Sequence, residues 1–297
     1  MGKHRGPLRR HRRVRGIPLT REILDFYRSP GPFTSLGPHA RLLDALPADG
    51  AGGCAVVQGL VLHAYWTTRY GVTLPEERKA EPNLRRLDRQ VARLLEIDSS
   101  PLDVARPPER RLVGTCRDFA TFAVALLRAR GVPARARCGF GTYFRSGRFE
   151  DHWVCEFWDA GAGSWKLADA QLDNLQREAL KIDFDPLDVP RDRFLTGGAA
   201  WTACREGRAD PMKFGIGELR GLWFVRGDLV RDFLALNKVD ILPWDHGWGH
   251  LGEEDPGTYP LMDRIAGLCG EPDASFDEIR ALYAADPGFA PPPALLE

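Results

Sequence analysis

No apolar run in this chain approaches the roughly 18 residues that a membrane-spanning helix needs, so no membrane partner is expected. Nor does the basic N-terminus lead into the apolar stretch, about 7–15 residues long, of a secretory signal. The expected location is therefore the cytoplasm. Six cysteines (Cys54, Cys116, Cys138, Cys155, Cys204 and Cys269) are scattered along the chain without a C-x-x-C pair, so the usual spacing of a zinc site is missing. In a reducing compartment, and in a chain of this size, they do not read as a disulfide framework either. Each is by default a small buried apolar residue. No internal repeat is visible, and no metal or cofactor is expected.

With 43% hydrophobic residues, the 297-residue chain can bury a sizeable core, in one large domain or two modest ones. Lys+Arg and Asp+Glu balance at 41 each, but unevenly: Met1–Gly16 carries one lysine and six arginines and no acid. Such a stretch suits nucleic acid or an acidic partner. It reads more simply as a solvated, disordered extension over residues 1–16, and nucleic acid is not the expected partner.

Periodicity predicts short helices over Leu19–Arg28 and His39–Leu46, then a longer one over Cys54–Tyr70. Another follows over Asn83–Leu95, with Leu84, Leu87, Val91, Leu94 and Leu95 on one face. Residues 101–111, rich in Pro and Arg, read as a loop. From Thr115 to Arg130 a stripe of Phe119, Phe122, Ala123, Leu126 and Leu127 predicts a helix, closed by Gly131 and Pro133. Three strands follow, Ala134–Phe144, Asp151–Asp159 and Trp165–Ala170, with turns at Ser146-Gly147 and at residues 160–163. A helix followed by a meander argues α+β. Beyond Asp173 the chain reads as loop to about Pro190, then as helices over Arg220–Lys238, Leu261–Leu268 and Phe276–Ala284.

Cys116 stands in the first turn of the predicted helix. Unpaired N–H groups there favour an anion and are expected to lower the thiol pKa, with Arg117 adding to the field. If the second and third strands pair across a turn centred near Ala160-Gly161, His152 faces Asp169, about 5 Å away. A slip of one residue would present Trp153 instead. Singly, each of the three has a bland structural reading. Together, a thiol at a helix start, a strand imidazole and a neighbouring carboxylate make the set a cysteine nucleophile requires.

At these residues the chain resembles the transglutaminase-like superfamily, whose core is papain-like. The matching text runs from Gly114-Thr115-Cys116-Arg117-Asp118 through Gly131-Val132-Pro133-Ala134-Arg135. It continues with His152-Trp153-Val154-Cys155-Glu156 and ends at Trp165-Lys166-Leu167-Ala168-Asp169. The resemblance implies a nucleophile helix packed on an antiparallel sheet, with added helices at both ends. It implies a catalytic domain over 17–240, with 241–297 packed on it as a loop and short helices. It implies that Cys116 attacks an amide or ester carbonyl of a peptide or small-molecule acyl donor, that His152 is the base and that Asp169 orients it. Water or an amine would then resolve the thioester, giving hydrolysis or transamidation, and the reverse, amide formation from an activated acyl donor, is also permitted. Gln58 is the expected side-chain donor to the oxyanion, with Trp66 as the alternative. Trp153, Tyr143 and Trp244 are the expected pocket walls. The cluster from Trp244 to His250, with two histidines and an aspartate, reads as a packed loop near the cleft rather than as a metal site. The competing reading is a scaffold or binding module that keeps the fold without the reaction.

Overall fold

Thr20 opens the first helix, α1 (Arg21–Arg28), by accepting a hydrogen bond from the Ile23 N–H. The computed structural model describes residues 20–47 and 49–296, so the basic stretch 1–16 lies outside the described residues. A 3-10 segment, Gly37–Leu43, stands where a helix over 39–46 was expected. Asp49 caps α2 (Gly50–Leu60), its Oδ1 accepting from Gly52 N at 2.8 Å. The helix expected as far as Tyr70 ends at Leu60. The chain straightens into β1 (Val61–His63) and then coils as a 3-10 segment, Ala64–Tyr70. The apolar residues at 60–62 fit a helix face or a buried strand equally well; a strand partner decides between them. That partner arrives after α3 (Leu87–Ile97): β2 (Leu112–Gly114) runs parallel to β1, with His63 opposite Gly114.

The helix α4 (Cys116–Ala129) follows two residues after that pairing and is buried along almost its whole length. Then come β3 (Ala134–Gly141), β4 (Phe149–Asp159) and β5 (Ser164–Ala168) as an antiparallel meander. Trp158 faces Trp165 and Cys155 faces Ala168, so the hairpin turns one residue later than expected. Asp159 sets that turn. Its Oδ1 accepts from Gly161 N and Ala162 N at 2.9 and 3.0 Å, and Gly163 closes it at φ 62°, a conformation glycine adopts without strain. Continued by one residue, this register places Asp169 opposite Val154, not His152. A shift of two preserves the face, so His152 and Asp169 remain diagonal neighbours on one side of the sheet.

A short helix, α5 (Asn174–Leu180), interrupts the stretch expected to be loop. Four further elements complete the sheet and cover it: β6 (Phe194–Thr196), α6 (Gly197–Arg205), β7 (Phe214–Ile216) and β8 (Leu219–Arg220). The helices α7 (Leu222–Leu236), α8 (Tyr259–Gly270) and α9 (Phe276–Ala285) finish the chain. The sheet order is β6-β3-β4-β7-β8, with β5 also on β4. The fold is α+β, with helices before and after the meander. Within this sheet one pairing is parallel, that of β7 with β4.

β5 and β7 lie along the same edge of β4, at opposite ends. β7 takes residues 149–150 and β5 takes 155–159, so residues 151–154 have no strand partner on that edge. That gap is where the site forms. One core packs α2, α3 and α4 against the sheet through Val57, Val91, Phe119, Phe122 and Trp153. A second gathers α6, α7 and α8 around Trp201, Phe233 and Ile265, and residues beyond 241 such as Leu251, Met262 and Phe289 share it. Among the described residues no helix is long and apolar enough to cross a membrane.

Candidate active site

Cys116 is the first residue of α4, and Thr115 caps the helix with extended backbone. Asp118 holds this start in place: its Oδ2 accepts from Thr115 N at 2.7 Å, and its Oδ1 accepts from Gln90 Nε2 at 2.8 Å and from Arg117 Nη1 at 2.9 Å. Arg117 also donates to the Asp240 carbonyl at 2.9 Å. Its charge is therefore committed to Asp118 and that carbonyl, and does not serve the thiol as expected.

The Cys116 side chain lines a cavity of about 1320 Å³ together with His63, Thr115, His152 and Gln171. The Trp153 N–H acts on the thiol as a backbone donor that favours its ionised form. That donor is free because β4 has no strand neighbour at residues 151–154 on that edge. The expectation of a lowered thiol pKa is overturned. Burial, reinforced by the Asp151 carboxylate, pushes the Cys116 thiol well above its ordinary range, and the Trp153 hydrogen bond offsets only part of this. The helix start gives the thiol a place but does not ionise it.

His152 Nε2 lies 2.8 Å from Asp169 Oδ2, and both side chains are buried. Tyr143 donates its hydroxyl to the same oxygen at 2.7 Å, and Asp169 Oδ1 accepts from Gln171 N at 3.0 Å. Asp169 N in turn donates to the Pro186 carbonyl at 2.7 Å. With Nε2 on the carboxylate, Nδ1 is the His152 nitrogen left for other partners. Phe144 packs edge-on to the imidazole, with ring centroids 4.6 Å apart.

The remaining expected residues divide. Trp244 lines the cavity and is exposed. Gln58 does not line it; it borders a separate hollow with Ala105, Arg111 and Asp173, because α2 ends before the chain reaches the site. Trp66, the alternative donor, does line the cavity. The Trp153 side chain is core, and only its backbone reaches the thiol. Tyr143 supports Asp169 instead of forming a wall. In the 244–250 cluster, Asp245 binds Arg85 at 2.6 Å and His250 binds Asp286 at 2.8 Å, while His246 faces the cavity. His63 was not singled out from the sequence, because a helical reading of 54–70 gives it no special place. Its position follows only from the pairing of β1 with β2.

Cys138, Asp151 and Asp228 bring their side-chain ligand atoms within 4.8 Å of one another, and Asp151 also lines the cavity. Burial pushes Asp151 up to about 6, and Asp228 is pushed well above the carboxylate range by burial and then by Asp151. Arg231 donates to Asp228 Oδ1 at 3.3 Å. Two such carboxylates do not both ionise readily, so the pair is built to keep a proton.

Residues 76–170, about a third of the chain, match the model of the transglutaminase-like superfamily. No curated protein matches the chain. Among solved structures, a Cytophaga hutchinsonii protein described provisionally as a cysteine protease aligns at 17% identity with a TM-score of 0.36, over 62% of this chain and 48% of that one. The chain thus spans about half the length of that protein.

Proposed function

Taking residues 76–170 as a transglutaminase-like core, we propose that the protein is a cysteine-dependent enzyme that transfers acyl groups through a thioester on Cys116. One observation carries this reading: a buried thiol at a helix start and an imidazole braced by a carboxylate at 2.8 Å open into one large cavity.

The chemistry follows from the groups present. The thiol is held in its protonated form, so it needs a base at the moment of attack. His152 takes that proton on the nitrogen turned away from Asp169, and Asp169 steadies the imidazolium that results. The sulfur bonds to the carbonyl carbon of an amide or ester. The C–N or C–O bond then breaks as His152 returns the proton to the leaving group. Water gives hydrolysis, and an amine gives transamidation. The N–H groups at the start of α4 stand ready for the oxyanion.

The cavity favours a donor with an apolar or aromatic group, because Leu219, Trp223 and Trp244 are exposed hydrophobic residues on its lining. A peptide or a small amide meets that description. The test is intact-mass analysis after incubation with an acyl-donor series that varies the apolar group, comparing wild type with Cys116→Ala. A mass gain confined to the wild type supports the thioester. Equal gain in both proteins, or none with any donor, would sink the reading.

A further inference from the structure

We propose that the Nε2–H of His63 donates to the oxyanion formed when Cys116 attacks a carbonyl. This deepens the acyl-transfer reading and rests on it. The tautomer is fixed by geometry. His63 Nδ1 accepts from the Tyr65 N–H at 3.2 Å, and a ring nitrogen that accepts carries no proton. The proton of the neutral ring therefore sits on Nε2. Among the described residues Nε2 has no hydrogen-bond partner, and the ring lines the cavity that holds Cys116 and His152.

Placement agrees. His63 stands opposite Gly114 in the parallel β1–β2 pair, two residues before Cys116, and neighbouring strands lie about 4.8 Å apart. The ring is buried and stacks on Phe119 of the nucleophile helix, with centroids 6.4 Å apart. Burial, with His152 adding to it, lowers the His63 pKa to about 3, so it stays a neutral donor across the working range. A neutral donor stabilises a developing alkoxide without first pairing with the thiolate or competing with His152 for its proton. Gln58, the donor expected from the sequence, borders a different hollow.

Two substitutions separate this role from support of the Tyr65 turn. The amide of Asn overlays the Nδ1 side of a histidine, and that of Gln overlays the Nε2 side. His63→Asn therefore keeps the turn and loses the reach; His63→Gln keeps the reach. The readouts are acylation of Cys116 by p-nitrophenyl acetate, which builds an oxyanion, and alkylation by iodoacetamide, which does not. Loss of one oxyanion donor costs about 10²–10³ in rate. The expected result is a loss of that order in acylation for His63→Asn, with alkylation within about twofold of wild type. His63→Gln should recover at least tenfold of it.

Wild-type acylation in His63→Asn, a parallel fall in both reactions, or better activity with Asn than with Gln would each overturn the proposal. So would a Trp66→Phe variant that shows the loss in place of the His63 variants. If wild-type Cys116 is alkylated but never acylated, the acyl-transfer reading itself fails and takes this inference with it.

Discussion

Tyr143 donates its hydroxyl to Asp169 Oδ2 at 2.7 Å, the same oxygen that stands 2.8 Å from His152 Nε2. The phenol takes negative charge from the carboxylate, while the imidazole depends on that charge for its orientation. Asp169→Asn should therefore cut the rate of Cys116 acylation by about 10²- to 10⁴-fold, since an amide can hold the wrong tautomer. Tyr143→Phe removes only a brace and should cost less than about tenfold. Burst kinetics with p-nitrophenyl acetate measures both; equal losses would mean that the phenol, not the carboxylate, sets the ring.

Asp151 raises the Cys116 thiol pKa, second only to burial. Asp151→Asn should move the pH midpoint of Cys116 alkylation downward, by about one pH unit. Stability should shift as well. Burial raises Asp151 from 3.8 to about 6 in the fold, with Arg231 and His152 opposing. The folded state thus binds this proton more tightly than the unfolded chain does. Its contribution is fully present below the unfolded pKa and is lost as pH rises through about 6. Urea midpoints should show Asp151→Asn more stable than wild type at pH 7.5 and level with it near pH 4. The same difference at both pH values would exclude a titration origin.

Glu156 presents the opposite case. It is buried, which opposes ionisation, but Arg135 Nε at 2.6 Å, Arg137 Nη1 at 3.0 Å and Arg191 Nη2 at 2.6 Å outweigh burial and hold it below the carboxylate range. Its contribution is present above the unfolded pKa and drains away as pH falls below it toward the folded value. Glu156→Gln leaves buried guanidiniums uncompensated and should cost about 3–5 kcal/mol near neutral pH. The penalty should shrink below about pH 4. A cost under about 1 kcal/mol at neutral pH would show that Asp232 and Asp273, the other carboxylates on these arginines, suffice.

Gly139 lies opposite Thr196 where β6 pairs with β3, and a Cβ there would stand 2.1 Å from the Leu195 carbonyl oxygen. Gly139→Ala should destabilise the protein by about 2 kcal/mol or more, through displacement of β6. Thermal unfolding reports the loss, and hydrogen exchange at Leu195 and Thr196 should rise. Unchanged protection at those amides would mean that the strand accommodates the methyl.

The helix carrying Cys116 was legible because its apolar stripe and closing Gly131-Val132-Pro133 are local signals, and it lies within one residue of its expected bounds at each end. The hairpin was legible in kind but not in register. Asp159 folds its own carboxylate over the turn and shifts the centre by one residue, which no alternation pattern reveals. Tertiary pairing hid more. Nothing near residue 61 announces that α2 stops there, since the strand that ends it lies some fifty residues later. For that reason Gln58 borders a separate hollow, while His63 lines the cavity that holds Cys116. β6 and β7 are three residues each, too short for a period to register, and they exist because longer strands offered them an edge.

More than half of the residues lining the cavity come after position 215, whereas Cys116, His152 and Asp169 all fall within 76–170. On the acyl-transfer reading, reactivity and selectivity would then be written in different stretches of the chain. Exchanging residues 243–253 for another loop should change which molecules enter while leaving the imidazole and its carboxylate where they stand. A library built there would explore new donors without rebuilding the machinery that acts on them.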